Sequence, residues 1–456
     1  MRRILPLLLL LAPAALAAQL PSGSVRSLGM AGTYTTLARG YEAPAWNPAV
    51  LASRAAVSFS IGLPQAQLEF GSNSYGLSDF LKYQGTTLSP QDKVDLLAKI
   101  DTSLDLRTII GVAPIGLSIW RFAFTLGTTG DLTAGLGKDA VDLALNGNAS
   151  RAGPGQYFTA AGSHANGWAA TTFAGSFAWP FETPLGRLSV GVTYKKVWGN
   201  SLGQGTELNG VSRFQVNPQF NATAAGQILY TDFSGGQCKV SGPTDLFGGG
   251  CAPGSGSGVD LGGLLEMGHL TLGVTLVNLA GSMTWDASRL RYERTSYAVT
   301  QSGSGSVNNS KQDSVLVGSA INTDPTAATF RDSVMAHAGF SRLVRAGATL
   351  HAGRLLLSAD GQLRLSQGLD NAPKQAVSAG AEYVLLGVLP LRAGIGTDFS
   401  HTVTLSAGTG LYLGPFHLDL GAANISGGTN PGVRVGVGLG LMFGGGYHSA
   451  PVVVEP

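Results

Sequence analysis

Residues 433–443 read VRVGVGLGLMF, and the spacing of their side chains decides the fold. Val433, Val435, Val437, Leu439, Leu441 and Phe443 fall on one face of an extended chain, while Arg434, Gly436, Gly438 and Gly440 fall on the other. A helix would mix these sets; a strand separates a greasy row from a small, polar one.

The same alternation recurs upstream. Val403, Leu405, Ala407, Thr409, Leu411 and Leu413 share a face, as do Leu389, Leu391, Ala393 and Ile395 opposite Arg392, Gly394, Gly396 and Asp398. Leu355, Leu357, Ala359, Leu363 and Leu365 oppose Asp360, Gln362 and Arg364. Leu188, Val190, Val192 and Tyr194, and then Leu270, Leu272, Val274 and Leu276, repeat it. Strands are expected at 55–71, 104–113, 116–127, 167–179, 187–198, 258–267, 269–279, 334–343, 354–365, 376–386, 388–398, 402–413, 415–424 and 433–443. That makes about fourteen, an even number as single-chain bacterial barrels require.

Composition agrees. The 456 residues include 66 Gly, about twice the usual share, and only 12% are charged against roughly 25% in soluble domains. Beyond the first residues no apolar run reaches the roughly 18 residues of a membrane helix. Such a chain suits a closed antiparallel transmembrane β-barrel, in which every backbone group is paired. The chain has 29 basic and 27 acidic residues, so it generates no field that would attract nucleic acid.

Residues 1–17 read as a secretory signal peptide: Arg2 and Arg3, an apolar run, then Ala15-Leu16-Ala17. Residues 18–54 would form an N-terminal plug, residues 55–443 the barrel, and residues 444–456 a periplasmic tail. A barrel of this size is too wide for its own side chains to fill, which places an occluding segment ahead of the first strand. In that segment Gly29 and Gly32 permit close packing beside Leu28, Met30 and Tyr34, and Trp46 precedes a turn, Asn47-Pro48-Ala49.

Short periplasmic turns are expected at Ala113-Pro114, 180–186, Met267-Gly268-His269, Gly387 and Gly414-Pro415, alternating with long outer connections. Two outer segments favour helix. SPQDKVDLLAKI has Ser89 as N-cap, Pro90 at the first position and Asp92 closing a capping box, with Val94, Leu97 and Ala98 as its buried stripe. GKDAVDLALNG, 137–147, ends on Gly147. Segment 210–233 would be a hairpin above the membrane, and residues 298–309 a solvated insert. Cys238 and Cys251 lie in one Gly-rich loop, where an oxidising compartment favours a disulfide; a metal or redox pair would lack further ligands and the C-x-x-C spacing.

A leader, then LGMAGTYTTLARGYEAPAWNPAVLA at 28–52, then a long amphipathic barrel resembles the FadL/OmpP1 superfamily of outer-membrane transporters. Within it the chain is most similar to DUF5723-type families and to PorV-type barrels of the type IX secretion system. Asn47-Pro48-Ala49 matches the NPA of the FadL hatch, and GVTLVNLAGSMTW, 273–285, is similar to a recurrent strand element. Where relatives end on an aromatic residue, Phe443 is followed by GGGYHSAPVVVEP. The resemblance implies passive uptake of a hydrophobic or amphipathic small molecule past the plug. Its alternative implication is a secretion-associated barrel whose outer loops or C-terminal tail bind protein partners. Outer-membrane lipid is the expected surrounding in both.

No nucleotide loop and no H-x-x-x-H occurs, and the G-x-S-x-G at Gly199–Gly203 has no helix-period run after it to make a strand-to-helix nucleophile turn, so catalysis, metal and cofactor are not expected. The remaining polar chemistry is an inner row of charges: Asp360, Arg364, Glu382, Arg392, Asp398, Asp419 and Arg434. These either hold the plug and line a path, or balance one another in a filled lumen.

Overall fold

A computed structural model describes residues 24–147, 157–208, 212–215, 221–231, 252–301, 307–370, 372–399, 402–427 and 431–444. The leader, Cys238 and Cys251, and nearly all of the C-terminal tail lie outside the described residues.

Fourteen long strands pair antiparallel, each with the next in sequence, and the last closes on the first in the register Phe59↔Phe443. They are β1 (Phe59–Ser72), β2 (Ser103–Ile119), β3 (Phe122–Gly137), β4 (His164–Thr183), β5 (Gly186–Glu207), β6 (Gly254–Met267) and β7 (Leu270–Trp285). The second half comprises β8 (Arg342–Ala352), β9 (Leu355–Ser366), β10 (Gln375–Leu385), β11 (Leu389–Thr397), β12 (Val403–Leu413), β13 (Phe416–Ser426) and β14 (Gly432–Phe443). The period-two pattern sets the two surfaces of this wall. Leu405, Ile395, Val435 and Val437 are 52%, 52%, 45% and 44% exposed on the outside, although all are apolar. The intervening small and charged residues point inward.

One end of the barrel has tight turns, with positive φ at Trp120, Gly268, Gly387 and Gly414. The other carries the long connections. Helix Pro90–Ala98 forms with Ser89 and Asp92 closing the expected capping box, and helix Lys138–Asn146 stops at Gly147 in the left-handed region. The stripe differs: Leu96, not Val94 or Ala98, is the buried side chain, because the helix packs by the opposite edge.

Four other expectations need correction. Ala113-Pro114 is no turn; β2 runs through it to Ile119, because a one-residue bulge between Val112 and Ile115 absorbs the proline. The strand placed at 334–343 is shifted. Helix Pro325–Met335, capped by Asp324, occupies its start, and β8 begins only at Arg342. Residues 298–301 and 307–309 are solvated as expected but not irregular: they belong to strands Leu290–Gln301 and Val307–Val317, which pair in a hairpin. Strand one begins at Phe59, not residue 55.

The first of those outer strands also pairs with Asn221–Thr231, which pairs back on Arg213–Gln215, so a small sheet stands above the barrel. Beneath it Trp168, Leu229, Tyr292, Ile321 and Val334 form a separate apolar core. Several barrel strands overrun their expected outer ends, β3 to Gly137 and β5 to Glu207. There they leave the region where one face is apolar, and alternation no longer marks them.

Residues 24–54 run as short helical pieces, Val25–Leu28, Gly40–Glu42, Ala43–Trp46 and Pro48–Ala52. Nearly all are buried, and Met30, Tyr34, Ala43 and Asn47 have no exposed surface. Their neighbours are the inward residues of strands from around the ring: Gly408 at Gly29, Gly394 at Met30, Gly116 and Gly440 at Tyr41, Gly191 and Gly262 at Pro48. The inner glycines thus provide the close approach that a side chain would forbid.

Candidate functional site

Three clamps fix residues 24–54 to the wall. Arg26 donates two hydrogen bonds to Glu382, at 2.8 and 2.7 Å, and Glu382 also accepts from Arg392 at 2.6 Å. Arg392 continues to Asp419 at 2.7 Å and to the Tyr412 hydroxyl. On the next strand, one oxygen of Asp360 accepts the backbone N–H groups of Tyr34 and Thr35, both at 2.8 Å. Across the ring, Asn47 caps the turn Pro48–Ala52 by accepting from the Ala49 N–H at 3.0 Å, and its amide donates to the Gly263 carbonyl at 3.2 Å. Trp46 packs edge-on against Tyr34. Gly32, with φ of +85°, makes the turn after Ala31.

Of the expected inner charges, Glu382, Arg392 and Asp419 therefore meet in one network with Arg26, and Asp360 holds the segment by its backbone. Arg434 lies elsewhere, donating to Glu69 at 2.7 Å, and Arg364 donates to the Ala372 carbonyl at 2.5 Å. Asp398 borders a cavity near the long-loop end.

Sequence reasoning missed Arg26, Glu42 and Arg345. The signal for Arg26 was available: an arginine in a segment otherwise made of small and apolar residues must find a buried acceptor. Glu42 accepts from Ser24 at 2.8 Å and Tyr34 at 2.6 Å. Burial raises its carboxyl above the ordinary value, against those hydrogen bonds and the charge of Arg26, which pull it down. A raised value means that its contribution to packing is complete below the unfolded value near 4.3 and lost as pH rises through the folded one. Residues 24–54 should accordingly be more protease-resistant in mild acid than at neutral pH, and Glu42→Gln should flatten that component. An unchanged pH profile in the variant would remove Glu42 as its source.

Two chambers flank the segment. The larger, about 180 Å³, lies against β1 to β5, walled by Leu63, Ala113, Ile115, Leu126, Ala174 and Val197 and roofed by Trp168, Phe340 and Leu343. Polar groups, including Glu42, Lys195 and Asp370, line parts of it. Its outer wall is irregular. Leu63-Pro64 on β1 bulges against β14, Ala113-Pro114 on β2 bulges against β3, and the pairs Gly62↔Gly116 and Gln65↔Ala113 set both prolines at one level. Each proline removes a ladder donor. The smaller chamber, about 100 Å³, lies against β8 to β14 over the Ala31-Gly32 turn. Arg345 borders both chambers. Among the described residues no three His, Cys, Asp or Glu side chains converge as metal ligands would.

These features define a class: a closed fourteen-strand barrel with its N-terminal segment packed within and a largely apolar chamber between segment and wall. Residues 48–345 match the family model described as a family of unknown function, DUF5723, and the chain belongs to that family. No curated protein matches its sequence at a significant level. Among solved structures it is similar to the P. putida toluene transporter TodX, at 13% identity over 91% of this chain and 97% of that one, with a TM-score of 0.46. A Pseudomonas aeruginosa FadL homologue is similar at 12% identity over 93% and 99%, TM-score 0.47. The CymD monoaromatic hydrocarbon channel is similar at 12% over 93% and 97%, TM-score 0.45.

Proposed function

We propose that the protein is an outer-membrane barrel that lets a hydrophobic or amphipathic small molecule pass passively around a plug formed by residues 18–54. The apolar outer face supports a lipid surrounding, since exposing such rows to water would be costly. The observation that carries the transport reading is the position of the 180 Å³ chamber directly behind the proline-bulged stretch of wall. An apolar molecule entering from the loop end would reach weakened pairing between β1 and its neighbours without crossing the polar clamps. No energy source is required, because transfer into lipid is downhill for an apolar solute.

Ala174, 4% exposed, lines this chamber. Ala174→Trp fills it, and uptake of the fluorescent hydrophobe phenylnaphthylamine into proteoliposomes should fall at least tenfold. Unchanged uptake would overturn the transport reading. It would leave the partner-binding alternative, which rests on strand Val307–Val317: it is exposed along most of its length and pairs, among the described residues, on one side only. An exposed edge of this kind accepts an extended segment of another protein.

A further inference from the structure

We propose that Arg121, set in a corner between Trp120 and Trp179 at the tight-turn end of the barrel, is a headgroup site for one anionic phospholipid, whose phosphate it binds. The proposal rests on the outer-membrane part of the reading above and not on uptake.

Trp120 and Arg121 form the turn between β2 and β3. The Trp120 and Trp179 side chains are 53% and 47% exposed, and their rings stand at 89° with centroids 6.3 Å apart. The Arg121 guanidinium lies against both, 4.7 Å from the Trp120 centroid and 4.3 Å from that of Trp179. Two rings thus cover two sides of a half-buried cation. Of its nitrogens only Nη1 is enclosed, and among the described residues the side chain has neither a hydrogen bond nor an ion pair, so Nε and Nη2 are free to donate. On the adjoining hairpin the arginines are compensated: Arg187 and Arg54 each lie 3.6 Å from Glu182.

Contact with the rings offsets part of the guanidinium's lost hydration but leaves its charge uncompensated. A stacked arginine keeps a planar edge of donors, which matches two oxygens of a phosphate. A choline headgroup would instead need the aromatic faces that Arg121 already occupies. The rings continue from this corner along the outer face of the wall. Phe122 packs on Phe177, and Phe124 stacks beside Phe173 and lies over Gly175, where a Cβ would come within 3.3 Å of its ring. An acyl chain leaving the headgroup has these faces to lie on, at the depth where aromatic side chains collect in membrane proteins.

Native mass spectrometry of the purified full-length protein in detergent, titrated with dioleoylphosphatidylglycerol or dioleoylphosphatidylcholine, tests the site. One phosphatidylglycerol should be retained saturably and roughly tenfold more tightly than phosphatidylcholine, the scale of one charge-assisted contact. Arg121→Gln should abolish that preference and Trp179→Leu should weaken retention severalfold. Lys82→Gln, which deletes an exposed cation of the helix Leu77–Tyr83 at the long-loop end, should leave it unchanged. Pairing of the strands uses only the Arg121 carbonyl, which accepts from the Ala178 N–H, and the fold of each variant is checked by heat-modifiable migration in gels. Should Arg121→Gln fail to fold, Trp179→Leu and the comparison of the two lipids still decide. Equal retention of both lipids, a preference that survives Arg121→Gln, or displacement of the lipid by glycerol phosphate, which has no acyl chains, would each overturn the proposal. Failure to insert into vesicles of either lipid would overturn the outer-membrane reading with it; insertion without preference would overturn the site alone.

Discussion

Replacing Glu382 by alanine should release residues 24–54 from the wall while the barrel stays closed. Glu382 is the shared acceptor of Arg26 and Arg392, and all three side chains are almost wholly buried. Without it Arg26 loses a bidentate partner and Arg392 keeps only the Asp419 side of its network. Breaking one member out of a buried ion network costs about 3–5 kcal/mol, because the surviving charges stay desolvated. The fourteen strands do not depend on this contact for pairing, since the β10 backbone bonds its neighbours at Glu382↔Leu356 and Glu382↔Arg392 regardless of side chain. The expected result is therefore local. Limited proteolysis should cut within residues 24–54, whereas heat-modifiable migration should persist. A double variant, Arg26→Met with Glu382→Leu, should be more resistant than Glu382→Ala, because no buried Arg26 charge remains that has lost the Glu382 carboxylate. Protection equal to wild type in Glu382→Ala would show that the network does not hold the segment.

That network marks the boundary of what the sequence alone discloses. The wall was legible because the outer and inner faces of a closed barrel impose a strict two-residue period: Val433 to Phe443 needs no tertiary information to declare its two faces. The period fails where its cause fails. At Ala113-Pro114 a proline signals a turn locally, but pairing on both sides of β2 carries the strand through a bulge. At 334–343 the chain has left the barrel for the outer core around Val334, so the alternation there carries no meaning. Inner charges could be assigned to the lumen face but not to partners, since partnership is set by strand tilt and by the path of the N-terminal segment. Asp360 and Glu382 were visible as inward carboxylates; that one grips a backbone turn and the other Arg26 depends on contacts more than 300 positions apart.

Gly262→Val should produce the second large effect, and it separates docking of the N-terminal segment from stability of the wall. Gly262 and Gly191 face each other directly on β6 and β5, and together form a slot for the Asn47-Pro48 turn. A Cβ at Gly262 would land on the Asn47 side-chain oxygen and 2.8 Å from Pro48 Cδ. Neither can yield cheaply. The proline ring is rigid, and the asparagine oxygen caps the Ala49 N–H. Loss of the cap costs about 1 kcal/mol, loss of the bond to Gly263 about as much, and overpacking roughly 1–3 kcal/mol more. Valine, however, favours strand backbone more than glycine does, so the barrel itself gains rather than suffers. The displaced turn should open the lumen, read as increased single-channel conductance in planar bilayers. The neighbouring Gly263→Val is the internal control: its Cβ would meet only Val274, at 3.4 Å, an ordinary contact. If Gly263→Val raised conductance as much as Gly262→Val, the glycine on the inward face would have no special role in seating the turn. A silent Gly263→Val beside a conducting Gly262→Val would mean that the inward glycines of these strands are placed to receive the chain's own N-terminal segment.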